Sequence, residues 1–359
     1  MSTKKIPLLY VGPGYTMFTQ SQCNQLVSQS GATEFLLTTA YAFNYCREGD
    51  PILTQYYFDN NIHVSYYGTT DPDQVSEIEA DMTEALDAAT NLYGNQTDVW
   101  NYTVYVNNAV TVALRLINAN SSCKVWFGLP PMLGSCTAAA MCYNYYYEEY
   151  IINAVRTQMT NAGKWSNVEG FYYGQENIPQ WYTAFNTMAV ANNFNNVVVN
   201  NMVYIASVVH GMNKKIMWIP YYRDDGSLIM ERVGNVINKK DIFDYAILQP
   251  SYYFVSSLGT AAVTLVKNCI AQQKCVSSTG SIIGGSKTSS TEIGGEMEID
   301  LNAKTNSSYL NRYNTYVSNF ATYITGTTKR PIAFYADYPE VLMDSMIFGK
   351  VKNFFTSGT

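Results

Sequence analysis

Two stretches, Gly170-Phe-Tyr-Tyr-Gly-Gln-Glu176 and Gly294-Gly-Glu-Met-Glu-Ile-Asp300, decide how the chain folds. Each is a short apolar or aromatic run that stops at carboxylates, which is the pattern of a buried strand ending at the rim of a core. A carboxylate in such a place is costly to bury and commonly has a chemical role. The two stretches therefore predict a pair of functional carboxylates contributed by distant parts of the chain.

Six further apolar runs, together with these two, predict eight strands. They are Ile6–Val11, Glu34–Ala42, Cys123–Leu129, Val168–Tyr173, Lys215–Pro220, Phe243–Gln249, Ile293–Ile299 and Pro331–Ala336. Segments with helical spacing and length lie between most of these strands. The predicted helices are Asp73–Tyr93, Val104–Asn118, Asn144–Asn161, Gln180–Asn193, Leu228–Asn238, Thr260–Gln272, Ser308–Thr325 and Pro339–Phe355.

The alternation of strands and helices indicates an α/β fold with a parallel sheet whose two faces are both covered. Eight such units predict a single (β/α)8 TIM barrel that spans residues 1–359. A Tyr-rich insertion from Asn44 to Thr70, after the second strand, predicts an extra hairpin or lid, and Val276–Ser290 predicts a mobile loop. A doubly wound open sheet is the alternative, but Gly12-Pro-Gly14 carries a proline where a phosphate-binding turn needs a helix amide.

The composition is poor in charge and rich in tyrosine. Charged residues make up 14% of the chain and the net charge is −6, so no basic stripe is present that would bind nucleic acid. The 31 tyrosines, with many Asn, Ser and Thr, favour a neutral ligand, above all a carbohydrate whose apolar faces stack on rings. No apolar window is long enough for a membrane span, and no cofactor is predicted.

The seven cysteines fit no metal spacing. Cys136 with Cys142, and Cys269 with Cys275, are near enough in sequence for two local disulfides, and buried free thiols are the equal alternative. Several Asn-X-Ser/Thr tripeptides favour an extracellular or cell-surface location. The basic N-terminus is not followed by the apolar run of a signal peptide, so the compartment stays open.

Cleavage of a glycosidic bond needs one carboxyl that protonates the leaving oxygen and one that attacks the anomeric carbon or activates water. Glu176 is the predicted acid, because the aromatic run before it favours a raised pKa. Strand alternation puts Glu296 and Glu298 on the inward face; Glu298 is the predicted nucleophile, with Glu296 as a positioning group or its replacement. An inward salt bridge of these acids with Arg223 or Lys215 is the alternative.

The active site of a TIM barrel lies at the carboxyl ends of its strands, so residues just past each run are candidates for contact with substrate. The predicted substrate-binding residues are Tyr15, Tyr173, Gln175, Asn177, Tyr221, Tyr222, Arg223, Gln249, Tyr252, Tyr253 and Asp337. Rings at strand ends belong more often to the core, so fewer than half of the aromatic candidates are expected to touch a sugar. His63 and His210 are isolated in sequence, and neither a metal site nor a histidine triad is predicted.

The order of the carboxylates is similar to that in a known group of enzymes. A glutamate after strand four and another after strand seven resembles the retaining TIM-barrel glycoside hydrolases of clan A, in which these positions carry the acid/base and the nucleophile. Four runs also resemble a bacterial family of unknown function that is regarded as glycosidase-like. They are Phe171-Tyr-Tyr-Gly-Gln-Glu176, Met217-Trp-Ile-Pro-Tyr-Tyr222, Leu248-Gln-Pro-Ser-Tyr-Tyr253 and Gly295-Glu-Met-Glu-Ile-Asp300.

This resemblance implies a (β/α)8 barrel with Glu176 and one of Glu296 or Glu298 as the functional carboxylates. The chain departs from the clan at one position. Clan A enzymes usually have Asn directly before the acid/base, whereas Gln175 holds that place here and Asn177 follows. The contact of that Asn with a sugar 2-hydroxyl is therefore not carried over.

The sequence predicts a glycoside hydrolase of the retaining type that acts on an oligo- or polysaccharide. The alternative is a non-catalytic barrel that binds carbohydrate or assembles at a surface, since few charges favour association into a homo-oligomer. The two functions differ in one distance. Carboxyl oxygens of Glu176 and Glu298 about 5 to 5.5 Å apart favour a retaining enzyme, and a far wider separation favours binding or assembly.

Overall fold

The structure is a computed structural model, and it describes residues 3–12, 14–39, 102–130, 144–176, 178, 188–226 and 228–359. The predicted barrel is confirmed: eight parallel strands pair in chain order, and the last pairs with the first. The strands are β1 (Lys5–Tyr10), β2 (Glu34–Thr38), β3 (Lys124–Leu129), β4 (Val168–Tyr173), β5 (Lys215–Trp218), β6 (Tyr245–Leu248), β7 (Glu292–Glu298) and β8 (Ile332–Tyr335).

Helices surround the barrel and cover its outer face. Those in the described parts of the chain are α1 (Gln20–Gln29), α2 (Tyr102–Ala119), α3 (Asn144–Asn161), α4 (Met188–Gly211), α5 (Ile229–Lys239), α6 (Gly259–Gln272), α7 (Asn302–Thr305), α8 (Ser307–Thr325), α9 (Pro339–Leu342) and α10 (Ser345–Ser357). Because water is excluded from both faces, the strands are buried along nearly their whole length.

The core has two layers that follow the alternation of the strands. Outward side chains such as Phe171 and Met297 pack against the helices, while inward ones such as Trp126, Tyr172 and Met217 fill the barrel interior. The alternation along each strand therefore decides which side chains reach the barrel interior and which face the helices.

The two decisive stretches begin with glycines because a neighbouring strand passes very close to them. A Cβ on Gly170 would lie 2.0 Å from the carbonyl oxygen of Lys215 on β5. A Cβ on Gly294 would lie 2.1 Å from the carbonyl oxygen of Pro331, just before β8. Only glycine therefore permits the close strand approach that positions the carboxylates further along each stretch.

A network of ion pairs closes the amino-terminal end of the barrel. Lys4 pairs with Glu34, and with Glu169 at 3.2 Å, while Lys215 pairs with Glu169 at 2.7 Å. The indole nitrogen of Trp126 donates to the second carboxyl oxygen of Glu34 at 2.6 Å. Every charge in this network has an opposite partner, as a stable buried ion cluster requires.

Helix α4 differs from its prediction, which ended the helix at Asn193. The helix continues to Gly211, and Met202, Ile205 and Val209 are buried at helical spacing. The segment is rich in Asn and Val, which have low helix propensity, so burial of one face overrides propensity here.

Helix α1 is absent from the predicted set because its sequence is almost entirely polar. Only Cys23 and Leu26 are buried, and a capping box between Thr19 and Gln22 stabilises its start. The predicted final helix is divided in two, because the Asp344 side chain accepts backbone N–H groups and begins α10.

Two predicted elements, the insertion of Asn44 to Thr70 and the helix Asp73–Tyr93, lie outside the described residues. The segment Val276–Ser290 contains one short bridge, between Val276 and Ile282, and no helix. Asn238 on α5 anchors its beginning, donating to the carbonyl oxygens of Cys275 and Ile283 at 2.9 Å each. Its mobility stays a prediction.

Candidate active site

Three carboxyl groups enter the barrel from the two decisive stretches. Glu176 follows β4, and Glu296 and Glu298 lie at the carboxyl end of β7. Met297 and Ile299 pack in the outer layer, so the alternating Glu296 and Glu298 face the other way, and each is only 3% exposed. The predicted orientation of these strand residues agrees with the structure.

The Glu176 carboxyl lies in a polar ring of uncharged side chains. The Tyr172 hydroxyl donates to its Oε1 at 3.2 Å, and Tyr221 and Gln249 also hydrogen-bond to the carboxyl. Burial raises the pKa of Glu176, and the three hydrogen bonds act in the opposite direction. Tyr172 lies on the inward face of β4, four residues before Glu176. The aromatic run at the end of β4 therefore forms part of the surroundings of the Glu176 carboxyl.

The Glu298 carboxyl is held by donors from outside its own strand. The Tyr316 hydroxyl on α8 donates to Oε2 at 2.5 Å, and the backbone N–H of Tyr253 donates to the same oxygen at 3.3 Å. The N–H of Ser251 also bonds to this carboxyl, and Ser251 has a left-handed backbone with φ of 56°. Burial raises the pKa of Glu298 to about 7, with a further contribution from the charge of Glu176, while these donors lower it.

Glu296 lies in a different environment, although it is two residues from Glu298. Among the residues that the structure describes, none donates a hydrogen bond to its carboxyl. Burial raises the pKa of Glu296 well above its ordinary value, and the charges of Glu298 and Glu176 add to the effect. The three carboxyls therefore form one interacting group, in which the charge of each disfavours ionisation of the others.

The predicted alternative, in which these acids form inward salt bridges, is wrong for the cations it named. Lys215 pairs with Glu169 at the opposite end of the barrel, and Arg223 pairs with Asp225 at 2.9 Å. In the described parts of the chain, no lysine, arginine or histidine pairs with the three clustered carboxyls.

Several predicted substrate-binding residues are brought to this group. Tyr221 and Gln249 contact Glu176, and the Arg223 guanidinium lies 5.1 Å from the centre of the Tyr221 ring. On the side formed by β8 and β1, Tyr15 contacts Tyr10 and Tyr338. Asp337 follows β8 with a left-handed backbone, φ 60°, and accepts from the Tyr335 hydroxyl at 3.3 Å.

Other predicted substrate-binding residues do not present their side chains to this group. The rings of Tyr173, Tyr222 and Tyr253 are buried in the outer core, where Tyr173 packs on Phe243 and the Tyr222 hydroxyl donates to a loop carbonyl. Tyr253 contacts Glu298 through its backbone N–H. Tyr252 packs against the same outer layer. Tyr173 faces the helices because side chains alternate along β4 and its neighbour Tyr172 points inward. The Gln175 backbone accepts from Trp218, and Asn177 lies outside the described residues.

No sequence pattern indicates a role for Tyr316 in the site. It lies on an outer helix, in a run of apolar and aromatic residues with helical spacing, and such residues are ordinarily core. Its hydroxyl reaches Glu298 from the outer layer. Tyr10, the last residue of β1, also lies close to the site. Burial raises the pKa of Tyr10, and the nearby charges of Glu176 and Glu296 add to the increase.

The histidines and cysteines do not form a second centre in the described residues. His210 is not isolated in space, since its Nε2 lies 3.0 Å from Asp244 on the outside of the barrel. Cys269 and Cys275 are free buried thiols, so the alternative of a disulfide between them is not formed. Cys136, Cys142 and His63 lie outside the described residues. Within those residues, no group of three side chains is arranged to hold a metal ion, and no helix is long and apolar enough to cross a membrane.

Among known proteins, the chain has similar solved structures but no match in sequence to a family model or a curated protein. Among solved structures, the chain is similar to a GH5_18 protein from Streptomyces cattleya in complex with Manb1-4GlcNAc. The two share 8% sequence identity with a TM-score of 0.40, over 94% of this chain and 74% of that chain. The resemblance to a bacterial glycosidase-like family stays a prediction.

Proposed function

We propose that the chain is a glycoside hydrolase that cleaves its substrate with retention of configuration. The observation that carries the proposal is that Glu176 and Glu298, from distant strands, interact within one group of buried carboxyls that lacks a cationic partner among the described residues. Such a group costs stability, and perturbed carboxyls in a barrel mouth are typical of acid/base chemistry.

The roles of the two glutamates are proposed from their places in the barrel. Burial raises the pKa of both carboxyls, that of Glu298 to about 7, and hydrogen-bond donors oppose the increase at both. The order of the carboxylates resembles that of retaining TIM-barrel glycoside hydrolases, in which the acid/base follows strand four and the nucleophile follows strand seven. Glu298 is therefore the proposed nucleophile and Glu176 the proposed acid/base.

The reaction has two steps. The Glu298 carboxylate bonds to the anomeric carbon while the bond from that carbon to the leaving oxygen breaks, and Glu176 gives its proton to that oxygen. Glu176 then takes a proton from water, and the water oxygen displaces Glu298 from the anomeric carbon. The sugar leaves with its original configuration, and both carboxyls return to their starting states.

Activity on a panel of aryl glycosides tests this function. Glu176→Gln and Glu298→Gln are each expected to lower kcat/KM by about 10²-fold or more. Glu231→Gln, at an exposed position on α5, is the matched control and is expected to keep full activity. Both site variants are expected to melt at or above the parental temperature, because they remove buried charge.

The stereochemistry is tested separately. In Glu298→Ala, azide is expected to occupy the vacated position and restore cleavage with a glycosyl azide as product, which NMR of the anomeric proton identifies. Full activity of both glutamine variants would contradict the enzymatic proposal. Sugar binding without turnover in the parent protein would instead support the non-catalytic carbohydrate-binding alternative.

A further inference from the structure

Five aromatic side chains form a continuous row along the side of the barrel mouth made by β8 and β1. We call this row the aromatic arc; in spatial order it consists of Phe254, Tyr335, Tyr10, Tyr15 and Tyr338. The successive ring centres are 5.6, 5.7, 5.7 and 5.5 Å apart. The members come from the loop after β6, from β8, from β1 and from the loops that follow these two strands, so the tertiary fold alone brings them together.

The middle of the arc lies beside the three carboxyls, and both of its ends reach solvent. Its end members Phe254 and Tyr338 are 44% and 50% exposed, although they are large apolar or aromatic residues. Its middle members are close to the carboxyls: after burial, the charge of Glu296 helps raise the pKa of both Tyr10 and Tyr335. The arc therefore connects the site of proposed cleavage with two exposed rings at the rim.

Acceptors of hydrogen bonds lie beside the rings. Asp337 sits between Tyr335 and Tyr338 in sequence, in a left-handed conformation, and burial together with the charge of Asp300 raises its pKa. The Asp300 carboxyl, which accepts from Tyr253 at 2.7 Å, is near enough to influence Asp337. Rings flanked by carboxyl oxygens match the apolar faces and hydroxyl edges of a pyranose.

The charge around the arc selects the kind of sugar. Asp300 and Asp337 are acidic, and the rings themselves are neutral. An anionic sugar chain would be repelled by these two carboxyl groups. A neutral chain meets no such penalty and can donate its hydroxyls to them.

We propose that the aromatic arc is a binding subsite for a neutral oligosaccharide chain that passes the three carboxyls, with Phe254 and Tyr338 as its outer platforms. The preferred substrate is then a neutral oligo- or polysaccharide, and an aryl glycoside with a single sugar unit is a substrate that lacks the contacts with the outer platforms. This inference rests on the proposed function, which it deepens by naming the residues that bind the sugar chain beyond the carboxyls.

Binding measured by titration calorimetry on the Glu298→Gln protein tests the subsite without turnover. The probes are neutral gluco-, manno-, xylo- and N-acetylglucosamine oligosaccharides of two and of six units. The six-unit form of at least one series is expected to bind more tightly than its two-unit form. Phe254→Ala and Tyr338→Ala, added singly, are each expected to weaken six-unit binding by about tenfold, as loss of an aromatic platform does at other binding surfaces, and to reduce the advantage of the longer chain.

Matched variants separate stacking from general damage. Tyr338→Phe keeps the ring and is expected to keep most of the affinity. Tyr150→Ala removes an exposed ring on helix α3, 55% exposed, and is expected to leave binding unchanged. Six-unit affinities within twofold of the parent in both alanine variants would overturn the proposal, and so would a parent protein that binds no probe. Aryl glycoside hydrolysis judges the proposed function independently of either result.

Discussion

Replacing Tyr316 by phenylalanine is expected to raise the pKa of Glu298 and to make the stability of the protein more sensitive to alkaline pH. The hydroxyl of Tyr316 donates to Glu298 Oε2 at 2.5 Å and accepts the backbone N–H of Tyr253 at 3.1 Å. The ring packs against Phe320, with centres 5.9 Å apart, and phenylalanine retains that contact. The substitution therefore removes one hydrogen-bond donor from the Glu298 carboxylate and one of the two acceptors of the Tyr253 N–H, which keeps its bond to Glu298.

The size of the effect follows from the charge on the acceptor. A hydrogen bond to a charged group contributes about 1.5–3 kcal/mol, and about 1.4 kcal/mol corresponds to one pKa unit. Since burial already raises the pKa of Glu298 to about 7, loss of the donor is expected to raise it by about one to two further units.

The sign of the pH dependence is fixed by this pKa. Glu298 titrates higher in the folded protein than in the unfolded chain, where glutamate titrates near about 4.3, so the folded state binds the proton more strongly. Stability contributed by the neutral carboxyl is present at low pH and falls as pH rises towards the folded pKa. A higher folded pKa extends this fall, and Tyr316→Phe is expected to cost about 1–2 kcal/mol more at pH 9 than at pH 5.5.

Urea unfolding at the two pH values measures the difference. Tyr316→Phe is compared in the parent protein and in Glu298→Gln, which has no titrating carboxyl at that position. The additional cost at pH 9 is expected to disappear in the Glu298→Gln background. If Glu298 is the nucleophile, as proposed, the acid limb of the kcat/KM profile is expected to move up by about one to two pH units, because a nucleophilic carboxyl must lose its proton. An equal loss of stability at both pH values, or a pH-dependent loss that persists in Glu298→Gln, would refute the reasoning.

Three further substitutions test the site and the barrel. Burial and the neighbouring acids raise the pKa of Glu296, so its ionisation costs stability as pH rises. Glu296→Gln is therefore expected to raise the Tm at pH 8 and to change it little at pH 4. A lower Tm of this variant at pH 8 would contradict the raised pKa of Glu296. Gly170→Ala places a Cβ 2.0 Å from the Lys215 carbonyl and is expected to cost about 3 kcal/mol or more in urea unfolding, whereas Gly349→Ala, where no atom lies within 4 Å on helix α10, is expected to stabilise the protein by up to about 1 kcal/mol.

The barrel was predictable because its strands are buried on both faces and are therefore continuously apolar. Helix α1 was not, since only Cys23 and Leu26 are buried along it and its polar sequence matches that of a loop. Helix α4 was placed too early for a related reason: its Asn and Val residues oppose the helix locally, and burial against the barrel decides the outcome. Periodicity thus predicts elements with strong apolar patterns and misses those whose stability comes from tertiary packing.

The candidate site was predictable in part. Parallel strands deliver their carboxyl ends to one mouth, so acids after β4 and on β7 were expected to meet. Side chains alternate along a strand, so Tyr172 and Tyr173 point to opposite faces of the sheet. The sequence shows which of them points inward only when one inward residue of the strand is already known. Tyr316 reaches the site from a helix, at a distance in sequence that no local pattern encodes. Its contact with Glu298 depends on the angle at which α8 packs on β7, which the tertiary fold alone determines.

The two ends of the barrel differ in how their acidic side chains are paired. At the amino-terminal end, Lys4 and Lys215 pair with Glu34 and Glu169, so each charge has a partner and the network closes the interior. At the carboxyl end, the acids that follow β4 and lie on β7 face one another without a cation in the described residues, and burial raises the pKa of each. A purely structural role would be served by the first arrangement, because unpaired buried acids destabilise the fold at neutral pH. The chain forms compensated ion clusters at the other end of the same barrel, so the group of acids at the mouth, which has no cationic partner among the described residues, is the observation on which the proposed reaction rests.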